Sequence, residues 1–109
     1  MSSIQPESQF NEVVDAVLLA IEESLERSGA DIEFETVAGI LTLEFEDGSK
    51  IIINRQTPNR EIWVAARSGG FHFRERDGEW VDTRGGLSLA ARLESAIREQ
   101  GDIAVKISI

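Results

Sequence analysis

Apolar residues in this chain change their spacing twice, and that change constrains the fold more than any other feature. From Phe10 to Leu25 they recur every three or four positions (Phe10, Val13, Val14, Val17, Leu18, Ile21, Leu25), the spacing of one buried helical stripe. At about 100° per residue, Glu12, Asp15, Glu22, Glu23 and Glu26 fall on the opposite side. Pro6 suits the first turn and Ser28-Gly29 a stop, so the spacing predicts a helix over Pro6 to Ser28. From Asp31 to Asp82 the period is two. Asp31, Glu33 and Glu35 alternate with Ile32, Phe34 and Val37, which predicts acids outward and apolar groups inward. Five more short runs follow: Ile40 to Glu46, Ser49 to Arg55, Glu61 to Arg67, Phe71 to Glu75 and Glu79 to Asp82. Ala38-Gly39, a Pro58 loop and Ser68-Gly69-Gly70 separate some of them, and Asp47-Gly48 and Asp77-Gly78 read as two-residue hairpin turns. Helical spacing then returns in Leu89, Leu93, Ala96 and Ile97, with Ser88 as N-cap and Gly101 as the C′ residue. The tail, Ile103 to Ile109, alternates and reads as a short extra strand or a packed extension.

The order helix, about six strands, helix has one economical solution. Consecutive hairpins make an antiparallel sheet, and two amphipathic helices need one apolar sheet face to cover. The expected fold is α+β, a two-layer sandwich with both terminal helices on one face of the sheet, in a single domain over 1–109. The other face is left to solvent. If Ile51, Ile53, Ile62, Val64, Ala66, Phe71 and Phe73 point inward, Glu61, Trp63, Ala65, Arg67, His72 and Arg74 point outward. Ile52, Asn54, Trp63 and His72 then share the solvent face. An outward tryptophan among polar neighbours is an interface anchor, whereas Trp80 is expected in or near the core. A lone histidine between two phenylalanines reads most simply as a surface residue.

Composition closes off several functions. At 109 residues there is room for one core. With no cysteine there is no disulfide, thiolate metal site or thiol nucleophile, and a single histidine excludes a multi-histidine centre. A net charge of −9 argues against nucleic acid. No residue run resembles a signal peptide or a membrane span, so no membrane association and a cytoplasmic location are expected. Nothing resembles a catalytic triad or a Gly-x-Ser-x-Gly elbow, and the glycine pairs lack P-loop or dinucleotide spacing.

The charge is lopsided. Residues 1–47 hold 12 acids and one base, Arg27, while residues 48–109 hold 8 acids and 10 bases. Glu22, Glu23 and Glu26 occupy the C-terminal end of the first helix, where the macrodipole disfavours negative charge. Like charges at i, i+4 cost a further ~0.2–0.5 kcal/mol per pair. Next to them lie Asp31, Glu33 and Glu35. This grouping fits a solvated face, a hard-cation site of carboxylate oxygens, or a docking surface for a basic partner. Carboxylates on a helix and a strand, rather than in a cage, would hold a metal weakly and leave it hydrated.

The stretch Ile40-Leu-Thr-Leu-Glu-Phe-Glu-Asp-Gly-Ser-Lys-Ile-Ile-Ile-Asn-Arg-Gln-Thr-Pro58 resembles the frataxin family, and within it the bacterial branch. The likeness continues through Ile62-Trp-Val-Ala-Ala66, Gly69-Gly-Phe-His-Phe73, Trp80 and Arg84-Gly85, and with the acidic first helix it covers nearly the whole chain. The resemblance implies a helix–sheet–helix sandwich and a role in iron–sulfur cluster assembly. It implies that Glu22, Glu23, Glu26, Asp31, Glu33 and Glu35 form an acidic ridge binding Fe(II) and Fe(III) weakly. It also implies that this ridge docks on a cysteine desulfurase, and that the sheet face with Asn54, Trp63 and His72 contacts the assembly machinery, including the scaffold protein. The resemblance implies a monomer without metal that modulates assembly and is not an enzyme; the alternative is an iron chaperone, store or ferroxidase. Against a ferroxidase stands the lack of a Glu-x-x-His dinuclear motif. Two departures thin the ridge: Arg27 stands where the bacterial pattern is often acidic, and Ser28-Gly29-Ala30 replaces a more aspartate-rich run. Phe71, where tyrosine is common, affects packing.

Overall fold

The computed structural model describes residues 6–109. Helix α1 (Glu7–Ser28) leads into β1 (Glu33–Val37), β2 (Ile40–Glu44), β3 (Lys50–Gln56), β4 (Glu61–Ala66), β5 (Gly69–Arg76) and β6 (Glu79–Asp82), and α2 (Leu89–Gly101) closes the order. The six strands form one sheet in sequence order, every neighbouring pair antiparallel. Both helices cover the same face. Phe10, Val14, Leu18, Ile21 and Leu25 of α1 and Leu89, Leu93, Ala96 and Ile97 of α2 are buried against Leu41, Leu43, Ile51, Ile53, Ile62, Val64 and Phe73. The two-layer α+β sandwich and its strand parity are as the period predicts. Trp80 is buried too, edge-on to Phe10 with ring centroids 6.2 Å apart.

Local details differ where distant contacts intervene. Pro6 is the N-cap of α1 rather than a first-turn residue, its carbonyl accepting from the Phe10 N–H at 2.9 Å. Val37 is exposed, not inward. It pairs with Ile40, while Phe34 and Thr36 oppose the inward Leu43 and Leu41, so parity turns Val37 outward with Glu33 and Glu35. The Asp47-Gly48 connection is a three-residue turn, because Phe45 still exchanges a hydrogen bond with Ser49 and Gly48, at φ 85°, closes the turn onto the Phe45 carbonyl. Asp77-Gly78 is the two-residue form, with φ 53° and 84°. At the β4–β5 hairpin the turn is Arg67-Ser68, and both glycines of Ser68-Gly69-Gly70 belong to β5. Arg67 is therefore a turn residue.

The C-terminal end of α2 is fixed by packing. Ser88 caps its start, accepting from the Ala91 N–H at 3.1 Å. The left-handed residue at its end is Asp102, not Gly101. Gly101 is helical, and a Cβ there would lie 2.7 Å from the Phe45 ring. Gln100, buried at 8% exposure, accepts from the Arg67 N–H at 2.8 Å and donates to Ser49 Oγ at 3.1 Å, stapling the helix to two sheet turns. The tail is a packed extension. Val105 and Ile107 are buried, the Ile107 N–H donates to Glu94 of α2, and the Ser108 N–H donates to Ser24 of α1, each at 2.9 Å.

Two measurements check these assignments. Gly→Ala inside a helix ordinarily stabilises by about 0.5–1 kcal/mol, but at Gly101 the added methyl meets a buried ring. Gly101→Ala is expected to destabilise by about 1–3 kcal/mol, the cost of overpacking, seen as a lower midpoint in urea. Asp47 carries the second prediction. Its carboxylate accepts hydrogen bonds from the Ser49 side chain and backbone and then from Arg67, which lowers its pKa from 3.8 to about 2. A depressed folded-state pKa contributes stability that is present above the unfolded value and is lost as pH falls through the folded one. Asp47 should therefore add to acid-induced loss of stability between about pH 4 and pH 2. A carbon-detected NMR titration of its carboxyl should show the low midpoint, and Asp47→Asn should flatten the stability profile in that window.

Candidate metal and docking surface

The sequence-predicted acids flank the β1 edge in two ranks. Glu22, Glu23 and Glu26 project from the last two turns of α1, the latter two exposed and Glu22 half-buried. Thr36, facing the helix layer, donates its hydroxyl to Glu22 Oε2 at 2.5 Å, tying this rank to β1. Asp31 is exposed in the connection. Glu33 and Glu35 lie on the opposite face of β1, turned away from the helices. Register adds a carboxylate that the sequence reading left out: Glu33 pairs directly with Glu44, a like-charge pair that disfavours the ladder. None of the six predicted carboxylates has an ion-pair partner among the described residues. Arg27, the lone base of this half, spends its guanidinium on Ser24 Oγ at 3.4 Å. Among the described residues, no group of three or more acids or histidines is placed to hold a metal ion. The ridge is a field of separate carboxylates.

The second predicted group is brought together. Asn54 pairs with Trp63, and Trp63 with His72, so the three stand in one transverse row on the outer face. The same row runs on through Ile40 to Val37 and so reaches the acidic edge strand. Val37, Ile40 and Ile52 are exposed on this face, giving it an apolar component beside the indole. The Trp63 and His72 rings are stacked, with centroids 4.4 Å apart and planes 10° from parallel.

Glu61 holds this group in place, and the sequence reading placed it outward without giving it a role. The outward direction is right, yet Glu61 is buried at 6% exposure. Its Oε1 accepts the Trp63 indole N–H at 2.7 Å and lies 3.6 Å from His72 Nδ1, while its Oε2 accepts from Arg74 Nε at 2.8 Å. Three neighbours on two strands cover the carboxylate, and their donors compensate its burial. The available signal was parity: Glu61 lies two residues before Trp63, and Arg74 two after His72, which puts opposite charges side by side.

The frataxin-like domain family matches residues 3–103 of the chain. The chain is 52% identical over 105 residues to a protein of Ralstonia nicotianae named iron-sulfur cluster assembly protein CyaY, covering 93% of each. Its structure superposes on that of the frataxin from Psychromonas ingrahamii with a TM-score of 0.91 at 36% identity, covering 96% of this chain and 100% of the other. It also matches the trimeric frataxin of the yeast Saccharomyces cerevisiae, complexed with ferrous iron, with a TM-score of 0.66 at 31% identity over 91% of this chain and 88% of the other.

The two tryptophans should respond differently to truncation. Trp63→Ala removes a half-buried side chain and its hydrogen bond to the buried Glu61 carboxylate, and should cost about 1.5–3 kcal/mol. Trp80→Ala empties part of the core and should cost about 3–5 kcal/mol. Urea unfolding of both variants checks this, and equal losses would place Trp63 in the core.

Proposed function

The chain belongs to the frataxin family, and on that premise we propose that it serves iron–sulfur cluster assembly as an iron-responsive docking protein rather than an enzyme. The ridge of Glu22, Glu23, Glu26, Asp31, Glu33 and Glu35 docks on a basic surface of the cysteine desulfurase. The outer sheet face around Asn54, Trp63 and His72 contacts the scaffold protein held by that enzyme. One observation carries the reading: the six carboxylates have no basic partner among the described residues, although three of them crowd the negative end of α1. Charge kept where it lowers stability is suited to steering a basic partner, since such fields raise association rates. Relatives named for iron–sulfur cluster assembly supply the pathway.

Iron enters as a weakly held modulator. Ferrous and ferric ions are oxygen-seeking, and separate carboxylates offer each ion one or two ligands while leaving most of its water in place. Binding is therefore weak. Iron on the ridge cancels part of the negative field or bridges to the partner, which gives the docking its dependence on iron. The protein acts in the cytoplasm, as a monomer when metal is absent. A second reading, iron chaperone, store or ferroxidase, is favoured by the trimeric yeast relative complexed with ferrous iron.

Replacing Glu22, Glu23 and Glu26 by glutamine separates the two. The triple variant should keep or gain thermal stability, because it removes repulsion at the helix end. It should bind the desulfurase–scaffold complex more weakly, mainly through slower association, and added salt should weaken wild-type binding in the same way. In NMR spectra of the wild type, Fe(II) or Mn(II) should broaden signals from Glu22 to Asp31 and at Glu33 first, and the triple variant should reduce this. Normal desulfurase binding with lost stability would make the ridge structural. Catalytic Fe(II) oxidation by the isolated chain would establish the second reading.

A further inference from the structure

The stacked pair on the outer face has a chemical polarity that its ring geometry alone does not determine. Stacking on Trp63 fixes the plane of the His72 imidazole, but a half-turn of the ring preserves that plane and exchanges the edge facing Glu61. Glu61 breaks the tie. Its Oε1 lies 3.6 Å from Nδ1, beyond a direct hydrogen bond, yet close enough for a buried carboxylate to repel a lone pair and attract an N–H there. Arg74 occupies Oε2 and the indole N–H occupies Oε1. Both interactions keep the carboxylate in place at the floor of the pair. His72 Nε2 has no partner among the described residues and is not a buried orphan, and its side chain is 47% exposed.

We propose that Glu61 is a positioning residue that holds His72 with its proton on Nδ1, so that Nε2 faces outward as a hydrogen-bond acceptor. The nitrogen that carries the proton is set by what the other edge meets. The outer face then presents an acceptor beside an indole and the apolar side chains of Ile40 and Ile52. It fits a partner segment that offers an N–H donor, from backbone or side chain, next to an apolar group. A partner presenting a carbonyl or carboxylate at that point would meet a lone pair. This assignment rests on the outer face being a docking surface, and its tests distinguish the two ideas.

The first test needs no variant. Nitrogen-15 NMR of the wild-type protein at about pH 8.5, above the ordinary histidine range, should show the His72 proton on Nδ1; a proton on Nε2 overturns the proposal. Glu61→Gln keeps the shape but removes the charge, and it should shift His72 toward the Nε2–H form. An unchanged tautomer in this variant also overturns it. Binding to the desulfurase–scaffold complex should weaken about fivefold in Glu61→Gln, the scale of one hydrogen bond. His72→Phe, which keeps an aromatic ring on Trp63, should lose about as much, and adding it to Glu61→Gln should cost nothing further. Additive losses would mean that Glu61 does not act through His72, and the proposal fails. If Trp63→Ala weakens binding while Glu61→Gln does not, the docking face stands and the proposal falls. If neither weakens binding, the docking face itself is wrong.

Discussion

Seven strand side chains, Leu41, Leu43, Ile51, Ile53, Ile62, Val64 and Phe73, lie almost completely buried under two helices, and the placement of every outward group follows from them. A strand's side chains alternate between faces, so slipping one strand by one residue would exchange its buried set for its exposed set. For β4 that exchange would bury Glu61 and Trp63 under the helices and expose Ile62 and Val64. Burying each aliphatic side chain is worth about 1.5–3 kcal/mol, so the inner face enforces the register. The register in turn delivers Asn54, Trp63 and His72 to one line. The outer face is thus positioned by side chains it never touches.

The molecule handles its carboxylates in two opposite ways. Glu61, Asp47, Asp82 and Asp15 each have an arginine partner within 4.0 Å, and Asp82 also caps the Arg84 and Gly85 N–H groups. These acids serve the fold. Among the described residues the ridge acids receive no cation, though ten of the eleven bases lie in the second part of the chain and β3 runs two strands from the edge. Arg55 of β3 reaches Asp15 of α1, about two turns before Glu22. A protein selected only for stability would place a lysine near Glu22 or Glu26, since an i, i+4 pair is readily formed. The bare ridge is the feature that stability does not explain.

What could be read from the sequence depended on how local its cause was. Helix α1, the six strands and the outward row at Trp63 follow from spacing alone, because one dominant inner face forces a simple period on every strand. The six ridge acids were also legible as residues. The outward turn of Glu33 and Glu35, away from the helices, follows from the same alternation, whereas the pairing of Glu33 with Glu44 does not, because it depends on the register of β1 on β2. Val37 departs from the expected inward placement because strict alternation puts this apolar residue on the face of Glu33 and Glu35. Gly101 reads as a helix stop, since its neighbour Phe45 is 56 positions away in sequence and only the fold brings the ring against it. Glu61 was hidden most deeply. Its burial arises from Trp63 on its own strand and from His72 and Arg74 on the next, and no single stretch of sequence contains all four.

The two surfaces are joined by one strand order, which under the proposed docking would make them act together. From the acidic β1 edge to His72 on β5, the transverse row Val37, Ile40, Asn54, Trp63, His72 crosses five strands. At roughly 4.7–4.9 Å between neighbouring strands, the row spans about 20 Å. Long-range attraction to the ridge would not select one orientation, because a field of separate carboxylates accepts many arrangements. The stacked rings at the far end are rigid: a buried carboxylate holds the indole, and the indole holds the imidazole plane. Under the proposed docking, a partner drawn by the ridge would therefore satisfy the row in few orientations. Charge would set how fast it arrives, and the anchored aromatic pair how it must sit. Iron bound on the ridge, as proposed, would change the first without disturbing the second.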